Sequence, residues 1–409
     1  MNGKQDQESP MRILMVHNTY QQRGGEDIST EQDVELLQSH GHKVQTYFRN
    51  NEEIRQYSLL KKASLFFRPA WSWQAYRQIR RILKTFQPDV VHVQNFFPLI
   101  SPAVFYACHS LKIPVVFSLR NYRLACANSY FYRDNMVCED CIRHSALHGM
   151  VHKCYHRSLV QTASVAMMQV THRWLKTWEK KIDVIAPVSK FAAGKMLDMG
   201  LGSENTLVRK NYLMQDPGEG HESRTGAVFV GRLSPEKGTD TLIRAWQQLP
   251  HVPLQIIGTG PEEANLQQGM AGNAEVIFCG HLPHGEMLKR IKSAQVLVMP
   301  SVWYETFGRT IIEAYATATP VIVSRLGAMT ELVDEGKTGL LFDPGDADDL
   351  VQKVTWAMNH PQETAEMGIQ ARRVFLEKFS ADNAYHRLME VYKVAVMKKA
   401  TNAQTLCQS

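Results

Sequence analysis

Short apolar runs alternate with longer helical stretches along almost the whole chain, and this order restricts the fold more than any other feature. The first apolar run spans residues 12–17, and the pattern of residues 32–40 predicts a helix after it. Further runs follow in the first half at residues 43–48, 89–93, 114–118 and 183–187. Buried strands separated by helices indicate parallel sheets built from βαβ units.

The alternation breaks once, near residues 215–226, which are polar and rich in glycine and acids, as linkers are. A second series of strands is then predicted at residues 227–230, 254–257, 275–278, 295–299, 320–323 and 339–342. We therefore predict an α/β protein with two doubly wound domains that face each other across a cleft. The predicted parts are a flexible tail (1–10), a first domain (11–212), a linker (213–226), a second domain (227–382) and a helix packing back on the first domain (383–399).

Charge is divided unevenly between the two halves. Residues 1–210 contain 28 basic and 17 acidic side chains, whereas residues 211–409 contain 18 basic and 23 acidic ones. The first half is therefore expected to meet an anionic partner. The composition, 44% hydrophobic and 21% charged, excludes a disordered or collagenous chain. No apolar run is long enough for a membrane span, and the polar start lacks a secretory signal, so we expect a cytoplasmic protein.

The segment 231–238 (GRLSPEKG) directly follows a predicted strand. Arg232 and Lys237 lie five residues apart on a strand-to-helix turn, where both cations can converge on one anion. A diphosphate suits this pair, because arginine binds two oxygens at once and lysine acts as a point charge. The alternative is a solvated basic loop. The glycines on either side favour a phosphate site.

A second motif is the segment 301–313 (SVWYETFGRTIIE). Glu305 and Glu313, eight residues apart, would not align on one helix. The spacing fits if Glu305 lies in a loop and Glu313 about one turn into the next helix, with Gly308 and Arg309 at its N-terminus. Carboxylates so placed can bind sugar hydroxyls. Each glutamate alone could equally be an ordinary charge at a helix start.

Together with the segment 258–261 (GTGP), these motifs resemble the large retaining glycosyltransferase family 4. Its members have the GT-B fold, in which two Rossmann-like domains enclose a cleft, and the resemblance extends from residue 11 to about residue 392. It implies transfer of a sugar from a UDP- or GDP-linked donor to a glycan or lipid-linked acceptor, with retention of configuration and no catalytic cofactor or metal. A nucleotide-sugar epimerase of the same fold and a non-catalytic nucleotide-sugar-binding protein are the alternatives.

The resemblance also implies roles for individual residues. Arg232 and Lys237 would neutralise the leaving diphosphate. Glu305 would contact the donor sugar and Glu313 the ribose. The remaining donor-binding positions are backbone or flanking ones, namely Gly24, Gly25, Gly258, Gly260, Leu282, Phe307, Gly308 and Arg309.

Two donor-binding positions in the first domain have alternative interpretations. The glycine pair Gly24 and Gly25 can approach a ligand closely, or can serve a turn that needs positive φ. Arg120 stands where relatives often have a histidine that reaches the donor sugar. A permanently charged group there would favour an acidic sugar or a phosphate, or would point elsewhere.

Four cysteines lie within a short stretch of the first domain, at residues 126–154. Cys126, Cys138, Cys141 and Cys154 are spaced as C-x11-C-x2-C-x12-C. A structural zinc ion suits four such thiols, and the alternative is a set of reduced, buried cysteines. The insert resembles one found in a subset of family 4 transferases.

Residues 55–84 contain eight basic side chains and no acid, interleaved with large apolar residues including Leu59, Leu60, Phe67 and Trp73. Cations mixed with interfacial aromatics predict contact with an anionic membrane surface, here the inner face. The alternative is a helix with core-facing aromatics and a solvated basic face. We expect no nucleic-acid partner, because the chain contains no nucleic-acid-binding module.

Overall fold

The computed structural model describes residues 9–21, 24–58, 61, 64–201, 206–220 and 223–408, with side chains as far as residue 401. Most of the predicted tail, as well as Leu59, Leu60 and Lys62 of the basic segment and residues 221–222 of the linker, lie outside the described residues.

Two parallel sheets form the frame of the protein, as the alternation predicts. The first has the strand order β2-β1-β3-β4-β7, and the second β10-β9-β8-β11-β12-β13. A short antiparallel hairpin of β5 and β6 lies in the cysteine insert. The strands are β1 Arg12–Thr19, β2 Lys43–Asn50, β3 Val90–Val93, β4 Val115–Leu119, β5 Tyr132–Arg133, β6 Met136–Val137, β7 Val184–Pro187, β8 Ala227–Val230, β9 Leu254–Ile257, β10 Val276–Gly280, β11 Val296–Met299, β12 Val321–Ser324 and β13 Gly339–Phe342.

Helices connect the parallel strands and cover both faces of each sheet. They are α1 Gly25–Ser39, α2 Trp73–Phe86, α3 Ala103–Ser110, α4 Asp140–Arg143, α5 His148–Val151, α6 Leu159–Trp174, α7 Thr177–Lys180, α8 Lys190–Asp198, α9 Thr239–Trp246, α10 Glu263–Gly269, α11 His284–Ser293, α12 Arg309–Ala316, α13 Met329–Leu332, α14 Ala347–Asn359, α15 Pro361–Lys378 and α16 Ala381–Gln408. The start of α1 lies seven residues before the predicted start at Gln32, because the polar first turn hides the helical period.

Burial of the strands on both faces explains why many strand segments are apolar along their whole length. Every residue of β3, β4 and β11 is buried, since helices lie on both sides of the sheets. Such sheets leave only the strand ends accessible to a ligand. The two-sheet α/β architecture is the one predicted from the sequence.

The last helix, α16, returns from the second domain and packs on the first sheet. Leu388 and Val391 on its inner face are fully buried. The Tyr392 hydroxyl lies 2.8 Å from Nδ1 of His92, which is on β3. The chain end therefore adds a layer to the first domain and joins the two domains a second time.

A buried ion cluster centres on Asp33 of α1, which is fully enclosed. Arg209 donates from Nη1 to Asp33 Oδ2 at 2.8 Å, and Nη2 of Arg120 lies 3.5 Å from the same oxygen. Burial alone would raise the pKa of the Asp33 carboxyl, but the charge and hydrogen bonds of Arg209, together with the charge of Arg120, lower that pKa from 3.8 to about 2. The carboxylate thus stays ionised. It connects α1 to Arg120 at the end of β4 and to Arg209 in the segment before the linker.

Replacement of Asp33 tests this cluster. Asp33→Asn leaves two buried guanidinium groups without a counter-charge and is expected to lower the free energy of unfolding at pH 7 by about 3–5 kcal/mol. Because the folded pKa is lowered, the stabilisation is present above about pH 4 and is lost as the pH falls towards about 2, a dependence that the variant lacks. Urea unfolding at several pH values measures both effects. Asp240→Asn, at a carboxylate that is 76% exposed, is the control, and an equal loss in the two variants would contradict the prediction.

Candidate functional site

The carboxyl ends of β8 and β11 bring a lysine and a glutamate together. Lys237 ends a short 3-10 helix after β8, and Glu305 lies in the loop after β11. Lys237 Nζ donates to Glu305 Oε1 at 2.6 Å. Ser301 Oγ and Trp303 Nε1 donate to the same oxygen at 2.9 and 3.0 Å. Glu305 is only 6% exposed, so these donors compensate the desolvation of its charge.

Arg232 lies outside this cluster. Its side chain is exposed, and it has no hydrogen-bond or ion-pair partner among the residues that the structure describes. The structure thus joins Lys237 to Glu305 and leaves the guanidinium of Arg232 free to meet an anion.

Two glycines allow the loops of the second domain to approach each other. Gly258 has φ of +139°, and a Cβ atom there would lie 1.9 Å from the carbonyl oxygen of Gly231. A Cβ atom on Gly260 would lie 2.2 Å from the carbonyl oxygen of Leu233. Any side chain at either position would clash with backbone, so the turn after β9 packs directly on the turn after β8.

The N-terminus of α12 forms the other side of the site. The helix begins at Arg309 after Gly308, and Glu313 is buried one turn inside it, as the spacing predicts. Glu313 Oε1 accepts from Arg309 Nε at 3.2 Å and lies 3.1 Å from His284 Nε2. His284, at the start of α11, was not among the candidate residues, and only its position after Leu282 could have indicated it.

Arg309 also reaches across the cleft to the first domain. Its Nη1 lies within hydrogen-bond distance of Ser29 Oγ, at 3.3 Å, and of Gln32 Oε1, at 3.2 Å, on α1. One side chain therefore joins the buried carboxylate of Glu313 to the helix that follows β1. The two domains are in contact at the site.

The glycine pair before α1 does not serve a positive-φ turn. Gly24 has φ of −121°, and Gly25 is not among the residues with positive φ. A Cβ atom on Gly25 would meet no atom within 4 Å. The turn interpretation of these glycines is therefore wrong, and the open space beside them is compatible with close approach of a ligand.

Arg120 points into the first domain. Its Nε donates to Gln94 Oε1 at 3.0 Å, and its Nη1 donates to Asn211 Oδ1. Asp33 lies beside it but also pairs with Arg209, so one carboxylate faces two guanidinium groups. The next residue, Asn121, donates from Nδ2 to Glu26 Oε1 at 2.8 Å in the first turn of α1. The sequence alone could not distinguish a donor-facing from an inward-facing arginine here.

The cysteine insert contacts the loop that carries Glu305. Glu139, just before α4, accepts from Tyr304 Oη at 3.0 Å and from Lys195 Nζ of α8 at 2.6 Å. The ring of Tyr130 packs edge-on against Trp303, with centroids 5.1 Å apart. The insert, the first domain and the Glu305 loop therefore meet at one carboxylate.

The four cysteines of the insert are neighbours. Burial, together with the proximity of Cys126, Cys154 and Cys138, raises the pKa of the Cys141 thiol to about 12. Within the described chain, however, no three His, Cys, Asp or Glu side chains are arranged to hold a metal ion. A zinc ion would need these thiols deprotonated and drawn together, and the zinc site stays a prediction.

Comparison with known proteins assigns the family. Residues 24–208 match the family model "Glycosyltransferase Family 4", and residues 216–374 match "Glycosyl transferases group 1". The chain is a GT4-type glycosyltransferase. Between them, the two models cover most of both domains and include Lys237, Glu305 and Glu313.

Individual relatives agree with this assignment. An uncharacterized glycosyltransferase of Methanocaldococcus jannaschii, MJ1607, is 26% identical over 94% of this chain and 99% of its own length. Sulfoquinovosyl transferase SQD2 of Arabidopsis thaliana is 31% identical over 49% of this chain, which spans only 40% of SQD2. The structure of HepE from Anabaena with UDP and glucose has a TM-score of 0.65 and 17% identity, covering 94% of this chain and 99% of HepE. The fold of this GT4 enzyme is therefore GT-B.

Replacement of Tyr304 tests the hydrogen bond between the insert and the loop that carries Glu305. Tyr304→Phe removes one bond to Glu139 and should loosen the loop that carries Glu305. We expect kcat/KM for sugar transfer to fall roughly 3- to 10-fold, the equivalent of about one hydrogen bond. Tyr130→Phe is the matched control, because no described residue bonds that hydroxyl. Equal kinetics in the two variants would show that the contact does not support the loop.

Metal analysis tests the cysteine cluster. Protein purified without chelator should contain about one equivalent of zinc if the four thiols bind it. Cys141→Ser should lose the metal, whereas Cys279→Ser, in the second domain, should retain it. Less than about a tenth of an equivalent in the wild-type protein would reject a zinc site.

Proposed function

We propose that this GT4 enzyme is a retaining, metal-independent transferase that moves a sugar from a UDP- or GDP-linked donor to a glycan or lipid-linked acceptor, in the synthesis of cell-surface polysaccharide. The observation that carries the proposal is the contact between Lys237, which is partly exposed, and the buried carboxylate of Glu305. The helix that follows the Glu305 loop, α12, contacts α1 of the first domain through Arg309, so the donor would lie between the two domains. Binding of UDP by HepE, which shares the fold, supports a nucleotide-linked donor.

Charge placement supports the roles of the two cations. As the bond between the sugar and the diphosphate breaks, negative charge develops on the departing phosphate oxygen. Lys237 and the exposed Arg232 would stabilise that charge, together with the backbone N–H groups at the start of α12. Glu305 holds Lys237 in position before the donor binds and presents its carboxylate to the hydroxyls of the sugar.

The second carboxylate would bind the nucleoside. Glu313 is held by Arg309 and lies beside His284, so one of its oxygens is fixed in place. The other oxygen can accept from ribose hydroxyls. The turn at Gly258, after β9, and the segment at Leu282, after β10, would flank the base.

Retention follows if the acceptor hydroxyl enters on the face from which the diphosphate departs. The acceptor oxygen then bonds to the anomeric carbon as the bond to the diphosphate breaks, and the hydroxyl proton passes to the diphosphate.

A screen of UDP- and GDP-sugars for nucleotide release identifies the donor. The anomeric configuration of the product, measured by NMR, tests retention.

Lys237 and Glu305 provide the decisive variants. Lys237→Ala and Glu305→Ala are each expected to lower kcat for sugar transfer roughly 10²- to 10³-fold, because each removes a charge that acts on the reacting donor. Lys289→Ala, at a lysine that is 72% exposed on α11, is the control and should keep wild-type turnover. Circular dichroism checks that all three variants fold. Wild-type turnover from Lys237→Ala would overturn the assignment.

A further inference from the structure

Helix α6 has an apolar stripe on its outer side. Val160, Ala163, Met167, Val170 and Trp174 follow one another at intervals of three and four residues, and so lie along one face. Trp174 is 80% exposed and Val160 64% exposed. A helix on a protein surface normally has polar residues on this side. The stripe spans fifteen residues, and its ends lie about 21 Å apart along the helix.

The opposite side of α6 packs in the core of the first domain, so the stripe is a different face from the buried one. Val165 and Met168 are fully buried there. The helix is therefore apolar on both sides. The inner side is explained by the fold. On the outer side Met167 still packs against the core, but Val160, Val170 and Trp174 are exposed.

Two further exposed aromatic residues lie in and after a chain segment that packs beside α6. Ser164 Oγ donates to the carbonyl oxygen of Phe66 at 2.6 Å, and His172 Nε2 lies 2.8 Å from the carbonyl oxygen of Ala70. Residues 66–70 thus run along the helix. Phe67 in this segment is 63% exposed, and Trp73 after it is 62% exposed. These aromatics point outward, as contact with a membrane surface requires.

The same surface is basic. Residues 141–178 contain five lysines and arginines and no acid, which repeats the pattern of residues 55–84. Lys153, Arg157, Arg173 and Lys176 are all exposed around the ends of α6. Two copies of such a surface would repel each other, so the charge argues against self-association through the stripe and in favour of an anionic partner.

We propose that α6 and residues 66–73 form a docking surface for an anionic lipid bilayer, with the stripe lying flat in the headgroup region. Exposed apolar residues between cations are the composition of helices that lie on a membrane. None of the helices in the described chain is long and apolar enough to cross a membrane. The inference rests on the proposed function, because docking would bring the first domain to a membrane that contains a lipid-linked acceptor.

Flotation with vesicles tests the surface on the full-length protein. The fraction bound to vesicles of phosphatidylcholine and phosphatidylglycerol (7:3) should exceed that bound to pure phosphatidylcholine by roughly tenfold at low salt. It should fall when salt screens the cations. The double variant Val170→Glu with Trp174→Glu should lose binding by at least about tenfold.

Matched variants separate the surface from general effects of charge and folding. Ile369→Glu with Leu376→Glu makes the same charge change on α15, where Ile369 is 56% and Leu376 48% exposed, and should bind as the wild-type protein does. Arg173→Gln with Lys176→Gln leaves the apolar stripe intact and should reduce only the preference for anionic vesicles. Thermal unfolding checks that each variant folds.

Other results would overturn the proposal. Equal binding to both vesicle types, or equal loss in both glutamate pairs, would remove the docking surface. A dimer that dissociates in Val170→Glu with Trp174→Glu, measured by analytical ultracentrifugation without vesicles, would assign the stripe to a second copy. Capture of an acidic protein without vesicle binding would assign it to that partner. Nucleotide release is measured separately from flotation. If the wild-type protein transfers sugar but does not bind vesicles, the docking surface alone is rejected. If the wild-type protein does not transfer sugar, the proposed function is rejected.

Discussion

Both parallel β-sheets are covered by helices on their two faces, and this constraint determines where the protein can bind a ligand. A strand buried on both sides offers no surface to a ligand, so binding groups can stand only in the loops at the strand ends. Lys237 after β8 and Glu305 after β11 occupy such loops, on neighbouring strands of one sheet. Their 2.6 Å contact is thus a consequence of strand order as much as of side-chain chemistry.

The two sheets are held together by polar contacts concentrated at the cleft. Arg309 joins α12 to α1, and Glu139 joins the insert to Tyr304. At a third point, Ser189 Oγ donates to the carbonyl oxygen of Thr306 at 2.7 Å. Each of these bonds involves the loop between β11 and α12 or the first residue of α12. The segment that carries Glu305 is therefore held against the first domain.

The sequence predicts elements well where burial is simple and poorly where a side chain has two plausible environments. Apolar runs mark most strands of the two main sheets, whereas β2, at the edge of its sheet, has no buried residue. The polar first turn of α1 conceals the start of that helix. The role of Arg120 depends on a partner, Asp33, that no local pattern indicates. Gly24 and Gly25 fit a turn motif in sequence, but their backbone is extended or helical, and the turn interpretation fails.

The sequence by itself determined the fold class, the boundary between two strand series and the identity of the glycine, lysine and glutamate motifs at strand ends. Periodicity and composition are local, and so they fix local elements. Only the tertiary structure decided which groups meet. Lys237 and Glu305 are 68 residues apart, and Glu139 and Tyr304 are 165 apart. Contacts over such separations depend on strand order and on domain closure, neither of which leaves a periodic signal in the chain.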